Sequence, residues 1–235
     1  MDKIFLINAI YKATEGEGVH IGTPQVFVRF QGCSIGCLNC DSKDTWDFTG
    51  EMMTLNQVWE NILKESYDGK IKRVSITGGD PLHPKHEEAV TTLVKFLKQK
   101  GFYVNIEAAG TRVVDGIFDF LDFISFDLKT PSTGVKIPTA NLVKLHNQYT
   151  GRFQVKAVIS DERDFSATLD VYNEVLSQTE NMSDPWVLTP CYEPNEEFPM
   201  ERFTQVQDLN EKAGGIFRVI GQQHKWVHGP NKKEV

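Results

Sequence analysis

Short β-rich runs alternate along this chain with stretches whose apolar residues recur at helical spacing, and that alternation limits the possible folds more than any other feature. The runs that read as strands are "QVFVRF" (25–30), "RVSIT" (73–77), "YVNIE" (103–107), "FISFD" (123–127), "RFQVKAVI" (152–159), "WVLT" (186–189) and "FRVI" (217–220). Between the first two, Thr54 and Gln57 have the spacing of a capping box. The helix they would open buries Leu55, Val58, Trp59, Ile62 and Leu63 on one face. Residues 85–100 place Ala89, Val90, Leu93, Val94 and Leu97 on one stripe, with Gly101 as the C-terminal cap. Phe165, Leu169, Tyr172 and Leu176 repeat the period, as do Phe203, Val206, Leu209 and Ala213. Such alternation predicts parallel strands joined by helical crossovers. A closed eight-fold barrel typically needs about 250 residues, and this chain has 235. The expectation is an α/β fold: an incomplete, open (β/α) barrel of about six parallel strands, one domain over residues 1–235.

A hydrophobic content of 40% is enough to fill one core of this size. With a net charge of −7 and no basic block beyond the tail "NKKEV", nucleic acid is not expected as a partner. "MDKIFLINAIYK" has too short an apolar run for a signal peptide. Asp residues interrupt "IFDFLDFISFD", so no membrane span is expected. Of four cysteines, three lie within eight residues and Cys191 is remote. Clustered cysteines with no export signal predict metal binding in a reducing compartment, the cytoplasm.

Those three are Cys33, Cys37 and Cys40, in "GCSIGCLNCDSKDTWDF". The spacing is C-x3-C-x2-C with no fourth ligand nearby. Structural zinc sites and ferredoxin-type clusters take four protein ligands, and His20 or Cys191 would have to complete a zinc knuckle. A cubane cluster held by three thiolates instead leaves one iron open for a substrate or cofactor. Parallel barrels keep their chemistry at the carboxyl ends of the strands, and those ends are polar here. "QVFVRF" runs into the cysteine segment and "RVSIT" into Gly78-Gly79-Asp80-Pro81. "YVNIE" ends in Glu107, "FISFD" in Asp127 with Lys129 just beyond, and "FRVI" precedes "GQQHK".

A C-x3-C-x2-C segment after the first barrel strand, with a Gly-Gly-acid-Pro turn after the next, resembles the radical S-adenosylmethionine (SAM) enzymes. The resemblance implies that SAM chelates the fourth iron of a [4Fe-4S] cluster and yields a 5′-deoxyadenosyl radical that abstracts a substrate hydrogen. A closer similarity lies in "ATEGEGVHIGTPQVFVRFQGC", "CDSKDTW" and "GQQHKWVHG", which resemble the 7-carboxy-7-deazaguanine synthase family over almost the whole chain. That family implies 6-carboxy-5,6,7,8-tetrahydropterin as substrate and Mg2+ as an aid to ring contraction in 7-deazapurine and queuosine biosynthesis. With it come a flavodoxin or ferredoxin as electron donor and a homodimer.

Carried over by position, the resemblance gives Cys33, Cys37 and Cys40 to the cluster and Ser42 to magnesium. Thr14, Glu15, Gly16, Arg29, Thr77, Gln222 and His224 fall to the substrate, with Arg29 on its carboxylate. Gly78, Gly79, Asp80, Glu107, Ser125, Asp127 and Lys129 fall to SAM. Arg29 also has a reading of its own: a guanidinium at a strand end beside a metal site suits a bidentate anion, or else pairs with Glu15 or Glu17. Two departures stand out. The substrate loop has Glu15 where Gln-Gly-Glu-Gly is usual, and "SFDLK" is longer than the Ser-Pro-Lys of some members. His83 and His86 read as surface residues at a helix start, Cys191 as a plain thiol, and Trp46, Met52 and Met53 as cover for the cysteine segment. A glycyl-radical activase, or a non-catalytic iron–sulfur or zinc module, are the rival readings.

Overall fold

A computed structural model describes residues 3–235. The chain divides into two compact units: the first runs to Ala13, resumes over Pro24–Ile124 and includes Glu234, and the second takes Thr14–Thr23, Ser125–Lys233 and Val235.

In the first unit, strands β1 (Ile4–Thr14), β2 (Pro24–Phe30), β3 (Glu51–Thr54), β4 (Arg73–Gly78) and β5 (Tyr103–Ala108) lie in the order β3-β1-β2-β4-β5. β2 is parallel to β4 and β4 to β5, which sets Arg29 beside Thr77. β3 is antiparallel to β1, with Phe5 opposite Met53. The crossover helices are α1 (Leu55–Glu65), α2 (Glu87–Gln99) and the short α3 (Asp115–Phe118). Both halves of the capping box are present: Gln57 N–H donates to Thr54 Oγ1 (3.3 Å) and Thr54 N–H to Gln57 Oε1 (2.8 Å). The expected stripe of α2 is buried in full, and α1 buries Val58 and Ile62. Phe5, Val26, Val28, Phe30, Ile76 and Ile106 on the strands are also fully buried. Removing such a side chain from water is worth about 1.5–3 kcal/mol each.

β1 and β3 are additions to the expected parallel set. β1 is masked in the sequence because only Phe5, Ile7 and Ala13 of its eleven residues are buried. Met52 and Met53 belong to β3 and pair with Leu6 and Phe5, with Met52 72% exposed, so they do not cover the cysteine segment.

Strand β6 (Phe123–Asp127) leads into the second unit, where β6, β7 (Phe153–Ile159), β8 (Trp186–Pro190) and β9 (Arg218–Val219) follow one another. β7 is parallel to β8 and β8 to β9. The helices here are α4 (Thr139–Gln148), α5 (Glu162–Leu176), α6 (Met200–Lys212) and α7 (Gln223–His228). α5 turns a different face inward from the one its leucines suggest: Phe165, Thr168 and Val175 are buried, while Leu176 is exposed. On α6 a polar residue joins Val206 inside, because Asn210 exchanges two hydrogen bonds with the backbone of Phe217.

The fold is thus α/β with mostly parallel strands, and it is open: β3 and β9 each have a strand on one side only. Among the described residues no helix is long and apolar enough to cross a membrane.

Candidate active site

β2 delivers the chain directly into the cysteine segment, and the base of that segment is closed by backbone. Gly32 N–H donates to Thr45 O (2.8 Å) and Cys33 N–H to Trp46 O (3.1 Å). Gln31, buried beneath, secures the closure: its amide donates to Asp44 O and Asp47 Oδ1, both at 2.9 Å, and accepts from Asn8 at 2.7 Å. Nothing in the sequence pattern singled out Gln31.

All three thiols are partly exposed, whereas Cys191 is buried. Ile35 N–H points to Cys33 Sγ (3.5 Å) and Ser42 N–H to Cys40 Sγ (3.4 Å). Such donors tune sulfur charge in iron–sulfur sites. Among the described residues no group of three or more His, Cys, Asp or Glu is arranged to hold a metal ion. Three partly exposed thiols on one short segment fit a four-iron cluster, which takes one thiolate per iron and would leave one iron to another ligand. Burial pushes the Cys33 thiol up, so iron has a proton to displace on binding.

Because β4 lies beside β2, its terminal turn packs on the cysteine segment. Gly79 N–H donates to Phe30 O (3.2 Å) and Asp80 N–H to Gly32 O (3.0 Å). A Cβ on Gly79 would stand 2.7 Å from Cys33 Cβ and 2.8 Å from Thr45 O. One on Gly78, where φ is +154°, would stand 2.5 Å from Phe30 O. Both glycines are thus needed for this approach. Asp80 is buried, and its Oδ1 accepts from Leu82 N–H (3.1 Å).

Arg29 sits at the same strand end with neutral partners. Its Nη2 donates to the Tyr11 hydroxyl (2.6 Å), its Nη1 reaches Ser42 Oγ (3.4 Å), and its buried Nε has no partner among the described residues. The fields of Glu107 and Asp41 act on it as well. Thr77 donates its hydroxyl proton to Glu107 Oε2 (2.9 Å). Ser42 Oγ donates to Asp41 Oδ1 (3.0 Å), which pairs two hard oxygens of the kind magnesium accepts while keeping most of its waters.

His86 corrects the reading of a surface pair. It is 2% exposed and packs on Phe30 and Phe48 at ring distances of 5.3 and 5.8 Å. Burial lowers its pKa, so it is held neutral. Its role is to wedge the start of α2 against the cysteine segment. Trp46 contributes through its backbone carbonyl.

The second unit gathers the other candidates around the turn that follows β1. Glu17 accepts from Lys156 Nζ (2.7 Å) and Gln222 Nε2 (2.6 Å). Burial would raise its carboxyl, but Lys156, His224 and these bonds bring it down to about 2. Glu15 is buried and accepts from Glu17 N–H (3.3 Å), while Thr14 is exposed. Gly16 has no room for a side chain, since a Cβ would meet the His224 ring at 2.1 Å, and its carbonyl accepts from Gln223 N–H (2.8 Å). Gln222 is buried with its Oε1 unpartnered among the described residues. Asp127 pairs with Lys129 (2.8 Å) and Lys156 (3.6 Å). Although burial would raise the Asp127 carboxyl, the two lysines hold it below the usual range. The Ser125 hydroxyl accepts from Gln154 Nε2 (2.9 Å), and Gln154 Oε1 accepts from Val19 N–H (2.8 Å). Lys156 and Gln154 escaped notice in the sequence, where alternate residues of a strand look like ordinary polar positions.

Residues 14–115 match a family described as a 4Fe-4S single cluster domain. The 7-carboxy-7-deazaguanine synthase of Bacteroides thetaiotaomicron is 31% identical over 146 residues, 62% of this chain and 71% of that one. The chain belongs to the 7-carboxy-7-deazaguanine synthase family. It is accordingly an enzyme of the radical-SAM lyase type. The synthase of Aquifex aeolicus is 28% identical over 228 residues, covering 95% of this chain and 94% of its own. The crystal structure of QueE from Escherichia coli, 22% identical, has the same fold with a TM-score of 0.67 over 94% of this chain and 95% of that one.

Proposed function

We propose that this member of the 7-carboxy-7-deazaguanine synthase family converts 6-carboxy-5,6,7,8-tetrahydropterin to 7-carboxy-7-deazaguanine by ring contraction with loss of ammonia. The observation that carries the reading is Arg29, a largely enclosed guanidinium on the strand that feeds the cysteine segment, whose direct partners are two neutral hydroxyls. A buried cation without a direct counter-ion is costly, and a ligand carboxylate would supply one.

Cys33, Cys37 and Cys40 would hold the [4Fe-4S] cluster. Gly78, Gly79 and Asp80 would receive the SAM amine, and Glu107, Ser125, Asp127 and Lys129 the rest of that cofactor. The cluster and SAM held there would supply a 5′-deoxyadenosyl radical able to take a hydrogen atom from a bound substrate. Arg29 offers parallel N–H donors to the carboxylate and thereby fixes the ring that carries it. Thr77, whose proton is engaged by Glu107, presents an acceptor oxygen. Ser42 with Asp41 would hold Mg2+ through oxygen. Around the pterin, Thr14, Glu15, Gly16, Gln222 and His224 supply polar edges, and Gln222 Oε1 is a ready acceptor for a ring N–H. The reading takes residues 1–235 as one radical-SAM core domain, a flavodoxin or ferredoxin as reductant, a homodimer as the assembly, and the cytoplasm as the location.

Anaerobic incubation with the tetrahydropterin, SAM and a chemical reductant, followed by mass spectrometry, tests the proposal. Formation of 7-carboxy-7-deazaguanine with 5′-deoxyadenosine is expected. SAM cleavage that requires a glycine-bearing polypeptide instead of the pterin would replace this reading with the activase.

A further inference from the structure

Tyr11 stands on β1 with its ring stacked on Phe27, centroids 5.3 Å apart and planes within 10°. Its oxygen accepts from Arg29 Nη2 at 2.6 Å. An oxygen that accepts from a cation must direct its own hydrogen elsewhere, and among the described residues the contact with Arg29 is the only hydrogen bond of the Tyr11 side chain. The neighbouring hydroxyl differs in this respect, since Ser42 Oγ already donates to Asp41. A partly enclosed O–H donor that points away from its only partner, next to a guanidinium with an unpartnered Nε–H, makes a two-residue donor set for an anion.

We propose that the Tyr11 hydroxyl is a second donor to the substrate carboxylate and, with Arg29, sets the preference of this enzyme for a carboxylated pterin. The inference rests on the reading of Arg29 as the carboxylate anchor. Three properties suit Tyr11 to the role. Its stack on Phe27 fixes the ring, so little freedom is lost on binding. Donation from the guanidinium polarises the phenol and strengthens its O–H as a donor. Burial raises its pKa to about 12, against the opposing pull of Arg29, so the group stays neutral and does not repel an anion.

The experiment measures binding rather than turnover. Enzyme reconstituted anaerobically with iron, sulfide and SAM is titrated calorimetrically with two stable probes, 6-carboxypterin and unsubstituted pterin, and the ratio of the two affinities is read. Tyr11→Phe keeps the ring and its stack and removes only the hydroxyl. It is expected to reduce the ratio about ten- to a hundredfold, the scale of one hydrogen bond to a charged group, with unsubstituted pterin bound as before and iron content unchanged. An unchanged ratio in Tyr11→Phe together with a collapsed ratio in Arg29→Ala overturns the Tyr11 inference and leaves the anchor standing. A ratio untouched by Arg29→Ala removes the anchor itself. Phe27→Leu, which takes away the stacked ring but not the hydroxyl, is expected to retain the preference. A loss there equal to that in Tyr11→Phe would make packing the cause and overturn the inference.

Discussion

Gly79 lies against Cys33 so closely that a single methyl group would not fit between them: a Cβ at Gly79 would be 2.7 Å from Cys33 Cβ and 2.7 Å from the Gly32 carbonyl oxygen. Two of the three nearest atoms are backbone oxygens held in hydrogen bonds, so neither can move aside cheaply. Gly79→Ala should therefore displace the first ligand of the cluster and reduce iron bound after anaerobic reconstitution by at least about half. Iron per chain, measured beside the far-ultraviolet circular dichroism, checks this; full iron loading with unchanged ellipticity would show that the turn yields.

The two kinds of cysteine should separate cleanly. Ala at Cys33, Cys37 or Cys40 removes one of three ligands and is expected to abolish the brown four-iron chromophore. Cys191 is buried at the end of β8, within reach of Glu193 at 3.6 Å, and Cys191→Ala should load iron normally. Iron loss in Cys191→Ala, or tight zinc in the reconstituted wild type, contradicts the three-thiolate site.

Lys156→Met tests the ion pair that holds the turn after β1. With side chains only 12% and 16% exposed, Lys156 and Glu17 form a largely enclosed pair, and removing one partner of such a pair typically costs about 3–5 kcal/mol. The sign of the pH dependence follows from the depressed Glu17 carboxyl, about 2 against an ordinary 4.5. Its stabilisation is fully present above about pH 4.5 and is lost as pH falls towards 2. That amounts to roughly 3 kcal/mol. Urea midpoints measured from pH 7 down to 3 should show this acid loss in the wild type and much less of it in Lys156→Met. Parallel curves would assign the depression of Glu17 to Gln222 instead.

Arg29→Ala should lower kcat/KM for the pterin by roughly 30- to several-thousandfold, equivalent to about 2–5 kcal/mol for a charged partner removed. Iron content should be unaffected. Arg29→Lys keeps the charge but loses the planar fork and is expected to recover activity only in part. Near-normal kcat/KM in Arg29→Ala would direct attention to Lys129, which pairs with Asp127 here.

The parts of this molecule that were legible in its sequence share one property: their signal is local. The capping box at Thr54 and Gln57, the stripe of α2 and the run "FISFD" each lie within a few residues, and β6 begins and ends where that run does. The three cysteines and the Gly-Gly-Asp-Pro turn are local too, and parallel pairing of β2 with β4 brings them together. What escaped depends on distant partners. β1 reads as an indifferent segment until Phe5 and Ile7 find their core. His86 looks like a surface residue until Phe30 and Phe48 enclose it, and Leu176 looks buried until Val175 takes the inward position. Tyr11, Gln31 and Lys156 acquire their roles from residues 18, 16 and 139 positions away respectively.

The contact between Glu17 and Gln222 spans 205 residues, and that between Glu17 and Lys156 spans 139. During synthesis at about 5–20 residues per second, Glu17 therefore leaves the ribosome roughly 10–40 s before Gln222 follows it. Lys156 follows after about 7–28 s, and until then the carboxylate has water for a partner instead of the groups that depress its pKa. The turn that carries Glu17 is therefore made long before it is set, so the cysteine segment can close through Gln31 and Gly32 while that turn still waits for Lys156 and Gln222.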